Sequence, residues 1–291
     1  MEETWTILKV LQWTTGYFSR KGIDQPRANA EVLLAHVLGT DRIQLYLHFD
    51  RPLSAAELAS YRELVRRRAD REPTQYITQK QEFWSLEFEV NPFVLIPRPE
   101  TELLLEKALE LMGDFSGKRI LDLATGSGAI AVSLAHERSA ARIIATDKSC
   151  EALQVAKRNA VRHHVQDRVH LAAMDLFSGF SPARTSFDLI LSNPPYIGEV
   201  EFATLAPEVV CHEPQAALRG GGAQGLDTIL RILREVPPFM KPGSMLLMEI
   251  GHDQAKLLDE ELKGSPWIEG YEFIKDYSGF MRVLHLRKTN Q

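Results

Sequence analysis

Apolar residues in the first quarter of the chain recur at helical spacing. Trp5, Leu8 and Leu11 form one run, Val32, Leu33, Val37 and Leu38 a second, and Leu58, Tyr61, Leu64 and Val65 a third, the pattern of helices that bury one face. Gly22 and Gly39 punctuate the runs, and Ser54 followed by Glu57 has the form of a capping box that opens the third. From Thr4 to Arg71 the spacing predicts a helical bundle of about 70 residues, near the lower limit for a self-sufficient core, so docking on a neighbour is expected. Phe83, Leu86, Phe88 and Val90 then read as a strand from Phe83 to Val90, part of a hairpin linker, before Pro97 and Pro99 break the chain ahead of a helix over Glu100–Met112.

Beyond Lys118 the period alternates. Short apolar runs at Arg119–Leu123, Arg142–Thr146, Val169–Ala172, Phe187–Leu191 and Ser244–Ile250 read as strands, and helical patterns fall at Ala129–His136, Glu151–Arg162, Asp227–Val236 and Asp253–Leu262. Such alternation predicts an α/β fold with a parallel sheet, right-handed crossovers and helices on both faces. Ligands in these sheets bind beyond the carboxyl ends of the strands. No internal repeat or low-complexity tract interrupts the pattern.

Composition narrows the class. With 291 residues, 44% hydrophobic and 25% charged, the chain has the makeup of a soluble globular protein. A net charge of −5 argues against a broad electrostatic grip on nucleic acid. Arg66, Arg67 and Arg68 are a local exception, read as a solvated helix face because Glu63 and Asp70 flank them. Cys150 and Cys211 stand far apart without metal-ligand spacing, which favours a reducing compartment over a disulfide framework or zinc site. The start, with Glu2, Glu3 and Lys9, lacks a leader pattern, and no apolar stretch approaches the roughly 18 residues of a membrane span. A cytoplasmic location is expected.

The chemistry concentrates at strand ends. Asn193, Pro194, Pro195 and Tyr196 follow the strand that starts at Phe187. Two prolines cannot continue a ladder, so the backbone must turn stiffly there. The Asn193 carboxamide oxygen and a backbone carbonyl freed by the prolines can each accept one N–H of a planar NH2 group, with Tyr196 packed on its flat face. The plain alternative is a proline turn with Asn193 as a local cap.

Upstream, Asp122, Leu123, Ala124, Thr125, Gly126, Ser127 and Gly128 join the first strand to a helix, and glycines there let the backbone approach a ligand. Asp147 ends the second strand about twenty residues later, where an acid can accept both hydroxyls of a ribose. A nicotinamide dinucleotide would use a similar acid, but its pyrophosphate wants Gly-x-Gly-x-x-Gly. Here Ile130 and Ala131 follow Gly128 and the third glycine is missing, which fits a nucleoside ligand without pyrophosphate. Asp175, after the third strand, is placed to meet an adenine amino group.

Together, Asp122 to Gly128, Asp147, Asp175 and the Asn-Pro-Pro-Tyr run resemble the Rossmann-like S-adenosylmethionine-dependent methyltransferases. Further segments resemble, more narrowly, the family that methylates the glutamine of peptide chain release factors: Arg71 to Ile77, Phe83-Trp84, Val94 to Glu102, Glu213-Pro214, Gly221-Gly222 with Gly225-Leu226, and Glu249-Ile250-Gly251. The resemblance covers nearly the whole chain. It implies a mostly parallel seven-stranded sheet, with a helical substrate-recognition domain over residues 1–75, a β-hairpin linker over 76–98 and the catalytic domain over 99–291.

It also implies S-adenosylmethionine as cofactor, held by Ala124, Thr125, Gly126, Ser127, Gly128, Asp147, Asp175, Leu176 and Asn193. The methyl group would go to the glutamine amide nitrogen of the Gly-Gly-Gln motif of class 1 release factors, with Asn193, Pro194, Pro195 and Tyr196 binding the substrate and Asn193, Pro194 and Tyr196 serving catalysis. No membrane and no nucleic acid are required, no metal is implied, and a monomer is expected. Two departures stand out: Ala124 replaces a usual glycine, and Leu176 occupies a variable position. Arg98 and Glu100 are read as shaping the substrate entrance or as an interdomain ion pair, and His212 and Cys150 as structural. The rival readings are an adenine-amino methyltransferase on DNA or RNA, a glutamine methyltransferase of a ribosomal protein, and a non-catalytic binder of cofactor or release factor.

Overall fold

The computed structural model describes residues 4–290, so Glu2 and Glu3 at the start of the chain lie outside the described residues. The chain divides into two units, one running to Lys80 and including Ala206–His212, the other comprising Gln81–Leu205 and Glu213–Gln291.

The first unit is helical: α1 (Ile7–Arg20), α2 (Pro26–Leu38), α3 (Arg42–Leu47), α4 (Ala55–Ala69) and α5 (Thr74–Thr78), joined by α10 (Pro207–His212) from later in the chain. The capping box forms, with the Glu57 amide donating to Ser54 Oγ at 3.2 Å and the Ser54 amide to Glu57 Oε2 at 2.8 Å. Pro26 starts α2 at its first turn, where no N–H is missed, and Gly39 ends it at φ +61°. Ile7, Leu11, Phe18, Leu33, Leu34, Leu45, Tyr61 and Val65 fill its core. Glu31 is buried beneath it and accepts from Arg27, Arg42 and Tyr46; burial pushes this acid up, but the three donors together hold it below the ordinary range.

The arginine cluster differs from the expected solvated face. Arg66 does pair at the surface with Glu63 and Asp70. Arg68 is buried instead, donating to Asn29 Oδ1 at 3.0 Å and to Glu208 Oε1 on α10 at 2.7 Å. A carboxylate more than a hundred residues downstream claims it, which no local pattern announces.

The second unit opens with a hairpin, β1 (Lys80–Phe83) and β2 (Leu86–Glu89). The single strand expected over Phe83–Val90 is broken because Trp84 and Ser85 both adopt positive φ, +53° and +57°, making the two-residue turn that matches strand twist. The helix expected from Glu100 starts instead as a 3-10 turn, Pro99–Thr101, before α6 (Glu102–Met112). Further along come α7 (Ala129–Glu137), α8 (Cys150–Arg162), α9 (Glu199–Phe202), α11 (Gln215–Leu218), α12 (Asp227–Glu235) and α13 (Ala255–Leu262).

Seven strands form one sheet in the order β5-β4-β3-β6-β7-β9-β8. The parallel members are β3 (Arg119–Leu123), β4 (Arg142–Asp147), β5 (Val169–Ala173), β6 (Phe187–Ser192) and β7 (Met240–Glu249), and β8 (Ile268–Lys275) and β9 (Met281–Lys288) complete it antiparallel. Alternate residues serve opposite faces: Ile120, Leu189, Leu191, Leu247 and Val283 join one core cluster, Leu121, Ile190, Leu246, Met248 and Leu284 the other. Burying each such side chain contributes roughly 1.5–3 kcal/mol. From β3 the chain moves outward to β4 and β5, then returns to β6 on the other side. This reversal sets the ends of β3 and β6 side by side, Leu123 opposite Ser192, and opens a crevice there.

Candidate active site

At that crevice lies a cavity of about 310 Å³, walled by the β3–α7 turn, the end of β4, Met174 to Leu176, Asn193, Pro195, the Pro92–Pro97 segment and residues from Pro214 to Arg231. Its floor is the glycine turn. Gly126 adopts φ +56°, and a Cβ placed on it would meet nothing within 4 Å, so the backbone faces open space. Gly128 adopts φ +81° for a different reason, since its Cβ would stand 3.1 Å from that of Ala156 on α8. Ala124 also has positive φ, +60°, a conformation that disfavours any side chain. Beneath the turn, Asp122 Oδ2 accepts from Thr125 Oγ1 at 2.5 Å and from the Ala131 amide at 3.1 Å.

Asp147, at the end of β4, lines the cavity half-buried. The Gly126 amide donates to its Oδ2 and the Ser149 amide to its Oδ1, each at 2.9 Å, which fixes the carboxylate plane while leaving lone pairs on both oxygens. Asp175 is exposed at the rim and pairs with Arg231 Nη1 on α12 at 2.7 Å. Leu176 follows at φ +48° and packs on the second core cluster.

Across the cavity, Asn193 donates from Nδ2 to Thr101 Oγ1 at 3.0 Å. Thr101 Oγ1 donates to Glu249 Oε2 at 2.7 Å, and Tyr196 OH donates to Glu249 Oε1 at 2.9 Å. Burial pushes the Glu249 carboxyl up, against the pull of the Thr101 and Tyr196 bonds and the Arg282 charge; burial, then the Glu249 charge, hold the Tyr196 phenol well above its ordinary value. The Pro194 carbonyl carries no hydrogen bond among the described residues.

The loop after Tyr196 is locked by backbone packing. Gln254, buried at the start of α13, donates to the Tyr196 and Gln224 carbonyls, both at 2.8 Å. A Cβ on Gly225 would lie 2.0 Å from the Tyr196 oxygen, one on Gly220 2.0 Å from the Gly225 oxygen and one on Gly198 2.3 Å from the Ala223 oxygen, so only glycine fits these crossings. The Pro97–Thr101 segment is anchored by buried Glu213, which accepts from the Ile96 amide at 3.1 Å and pairs with Arg98.

The PrmC N-terminal domain family matches residues 9–78 and the methyltransferase small domain family residues 99–227. The release factor glutamine methyltransferase of Geobacter sulfurreducens is 46% identical over 87% of this chain and 87% of its own, and that of Rhodopirellula baltica 39% identical over 98% and 97%. The chain belongs to the release factor glutamine methyltransferase family. A human relative, the MTRF1L release factor glutamine methyltransferase, is 35% identical over 96% of this chain and 86% of its own. Among solved structures, the hMettl16 catalytic domain superposes with a TM-score of 0.55 at 16% identity, covering 83% of this chain and 85% of that one, which bears on the fold alone.

In this family member, Ala124, Thr125, Gly126, Ser127, Asp147, Asp175, Leu176 and Asn193 all line one cavity. Gly128 stands behind the wall, against Ala156. Of the proline motif, Asn193 and Pro195 reach the lining, while Pro194 is buried and Tyr196 turns its hydroxyl to Glu249 and its ring to the second core cluster. Arg98 makes its ion pair within its own unit, with Glu213. Glu100 is exposed, and His212 belongs to α10.

Thr101, Glu213 and Glu249 stood inside segments that carry the family resemblance, yet nothing in their spacing gave them partners. Asn159 on α8, which donates to the Ser127 carbonyl behind the glycine turn, and Arg231 carried no signal, because each sits in an ordinary helical pattern and acts through the tertiary neighbour it meets.

Proposed function

We propose that this protein transfers a methyl group from S-adenosylmethionine to the side-chain amide nitrogen of the glutamine in the Gly-Gly-Gln motif of class 1 peptide chain release factors. The observation that carries the reading is Asn193, an amide anchored by its NH2 end on the wall of a cavity whose floor is the glycine turn and Asp147. Relatives that match over most of their length are release factor glutamine methyltransferases, which supports the same substrate.

The residues present fit the cofactor. Asp147 offers lone pairs on both carboxylate oxygens to a ribose diol, Gly126 leaves room for close approach, and Asp175, steadied by Arg231, is placed at the rim for an amino group. When bound, S-adenosylmethionine supplies an electrophilic methyl group. Pro195, Leu176 and Ile130 give the cavity apolar walls that keep water from competing for it.

An amide nitrogen is a poor nucleophile because its lone pair is delocalised into the carbonyl. Asn193 Oδ1 and the Pro194 carbonyl oxygen accept hydrogen bonds from its two N–H groups and favour a tetrahedral nitrogen, help that grows toward the transition state and so raises the rate. Holding nitrogen and methyl carbon in line supplies the larger part, on the order of 7 kcal/mol for well-aligned reactants. No side chain is needed as a strong base, since the methylated amide sheds its proton readily. Tyr196 serves through Glu249 rather than by stacking on the amide. The helical unit recognises the release factor, and a single chain acts in the cytoplasm without nucleic acid.

The test is mass spectrometry of an unmethylated release factor after incubation with the protein and S-adenosylmethionine, with a Gln-to-Ala substrate control. One added methyl on the Gly-Gly-Gln glutamine is expected. Label on adenine of added DNA or RNA, with none on the release factor, would move the assignment to nucleic acid.

A further inference from the structure

Glu249 is 1% exposed at the end of β7, and its two oxygens receive two hydroxyls, Thr101 and Tyr196. A buried carboxylate is costly, and an apolar residue of similar volume would serve the core at least as well. What it does supply is direction. A carboxylate can only accept, so Thr101 must spend its single proton on Glu249 and can meet Asn193 only with a lone pair. The Asn193 carboxamide therefore has to turn its NH2 end to Thr101, at 3.0 Å, which leaves Oδ1 as the end free for a ligand.

Given the glutamine-methylating reading, on which this step rests, we propose that Glu249 and Thr101 are positioning residues that lock the Asn193 carboxamide with its oxygen toward the methyl-accepting amide. The lock needs Glu249 ionised. A neutral carboxyl with its proton on Oε2 would donate to Thr101, whose own proton would then swing to Asn193. The carboxamide would turn over and set NH2 against the NH2 of the substrate, donor against donor. Burial and the Glu100 charge favour the neutral form of Glu249, and the bonds from Thr101 and Tyr196 with the Arg282 charge on β9 favour the ionised one, Tyr196 donating to Oε1.

Thr101→Val keeps the shape and removes the relay, whereas Thr101→Ser keeps the hydroxyl. With a release factor as substrate, Thr101→Val and Glu249→Gln are expected to lower kcat on the order of 10- to 100-fold, as removal of the outer partners that orient metal ligands does. KM for both substrates should hold, and Thr101→Ser should stay within a few-fold of the parent. A Thr101→Val enzyme with unchanged kcat, or equal losses in Thr101→Val and Thr101→Ser, would overturn the lock. Nitrogen-15 NMR of the Asn193 side-chain NH2, assigned by its disappearance in Asn193→Asp, reads the lock without turnover. The signals should move or double in Thr101→Val; unchanged signals refute the proposal even if the parent methylates, and a lock seen in a parent that methylates no release factor refutes only the substrate.

Discussion

Asn159 on α8 donates its side-chain amide to the Ser127 carbonyl, 2.9 Å away, at the back of the glycine turn. The same amide donates to the Glu89 carbonyl at 3.0 Å, and its oxygen accepts from the Glu89 amide at 2.7 Å. One fully buried side chain thus fastens the β2 hairpin strand and the cavity floor to a single helix.

Replacing Asn159 by Leu removes the partner of three backbone groups, the buried Ser127 carbonyl and the amide and carbonyl of half-buried Glu89. Each unsatisfied buried group costs about 1–3 kcal/mol, so a loss on the order of 3 kcal/mol or more is expected in denaturant unfolding. Because the floor loosens, S-adenosylmethionine affinity measured by calorimetry should fall as well. Lost stability with unchanged cofactor affinity would mean that the turn keeps its shape without Asn159.

Ala124 offers a gain in the other direction. It is held at φ +60°, where a Cβ costs roughly 1–2 kcal/mol, partly offset because alanine restricts the unfolded chain more than glycine does. Ala124→Gly should raise the unfolding free energy by about 0.5–1 kcal/mol, read as a higher Tm. A lower Tm would show that the methyl group contributes packing worth more than the strain.

Gly126 and Gly128 differ in what a methyl group would meet. Gly128→Ala drives a Cβ to 3.1 Å from Ala156 Cβ and 3.3 Å from its Cα at a φ of +81°, so stability should drop by about 2 kcal/mol or more. Gly126→Ala meets no atom within 4 Å, so beyond the roughly 1–2 kcal/mol that a Cβ costs at its φ of +56° it adds no clash. Its added methyl enters the space where the cofactor is proposed to lie, so affinity should fall more than stability. Titration calorimetry and thermal melts on both variants would separate the two roles, and equal profiles would contradict them.

Local period and turn chemistry control the features that the amino-acid sequence makes legible. The parallel strands from Arg119 to Ile250, the glycine turn and the acid at Asp147 fell out of spacing, and the capping box of Ser54 and Glu57 formed as its letters suggest. The break at Trp84 and Ser85 was hidden because neither residue ordinarily takes positive φ, and the hairpin is held instead by tertiary pins: the Trp84 amide donates to Glu102 at 2.8 Å and the Glu89 amide to Asn159. Arg68 with Glu208 and Thr101 with Glu249 were invisible for the same reason, since their partners lie 140 and 148 residues away. The Asn-Pro-Pro-Tyr run could be read from its letters, whereas the partners that Asn193 and Tyr196 meet, Thr101 and Glu249, could not.

Asp122 makes stability depend on pH. It is fully buried, and burial pushes its carboxyl up to about 7, with the bonds from Thr125 and Ala131 pulling it down and the charge of Asp147 adding to the rise. In the unfolded chain the group titrates in the ordinary range near 3.8. Between these values the folded protein keeps a proton that the unfolded chain has released. The stability from this group is therefore full below about pH 4 and is lost as pH rises through about 7. Asp122→Asn retains an acceptor for Thr125 and Ala131 and carries no charge at any pH, so its only other effect is a constant cost where Oδ1, which has no partner among the described residues, becomes an NH2. Across that window the unfolding free energy of the parent should fall relative to the variant by up to about 1.4 kcal/mol per pH unit. Urea titrations of both proteins from pH 4 to 8 would show the two curves converging as pH rises, or crossing if the constant cost is small. Parallel curves would mean that Asp122 is ionised in the folded protein throughout and that the β3–α7 turn holds a buried charge.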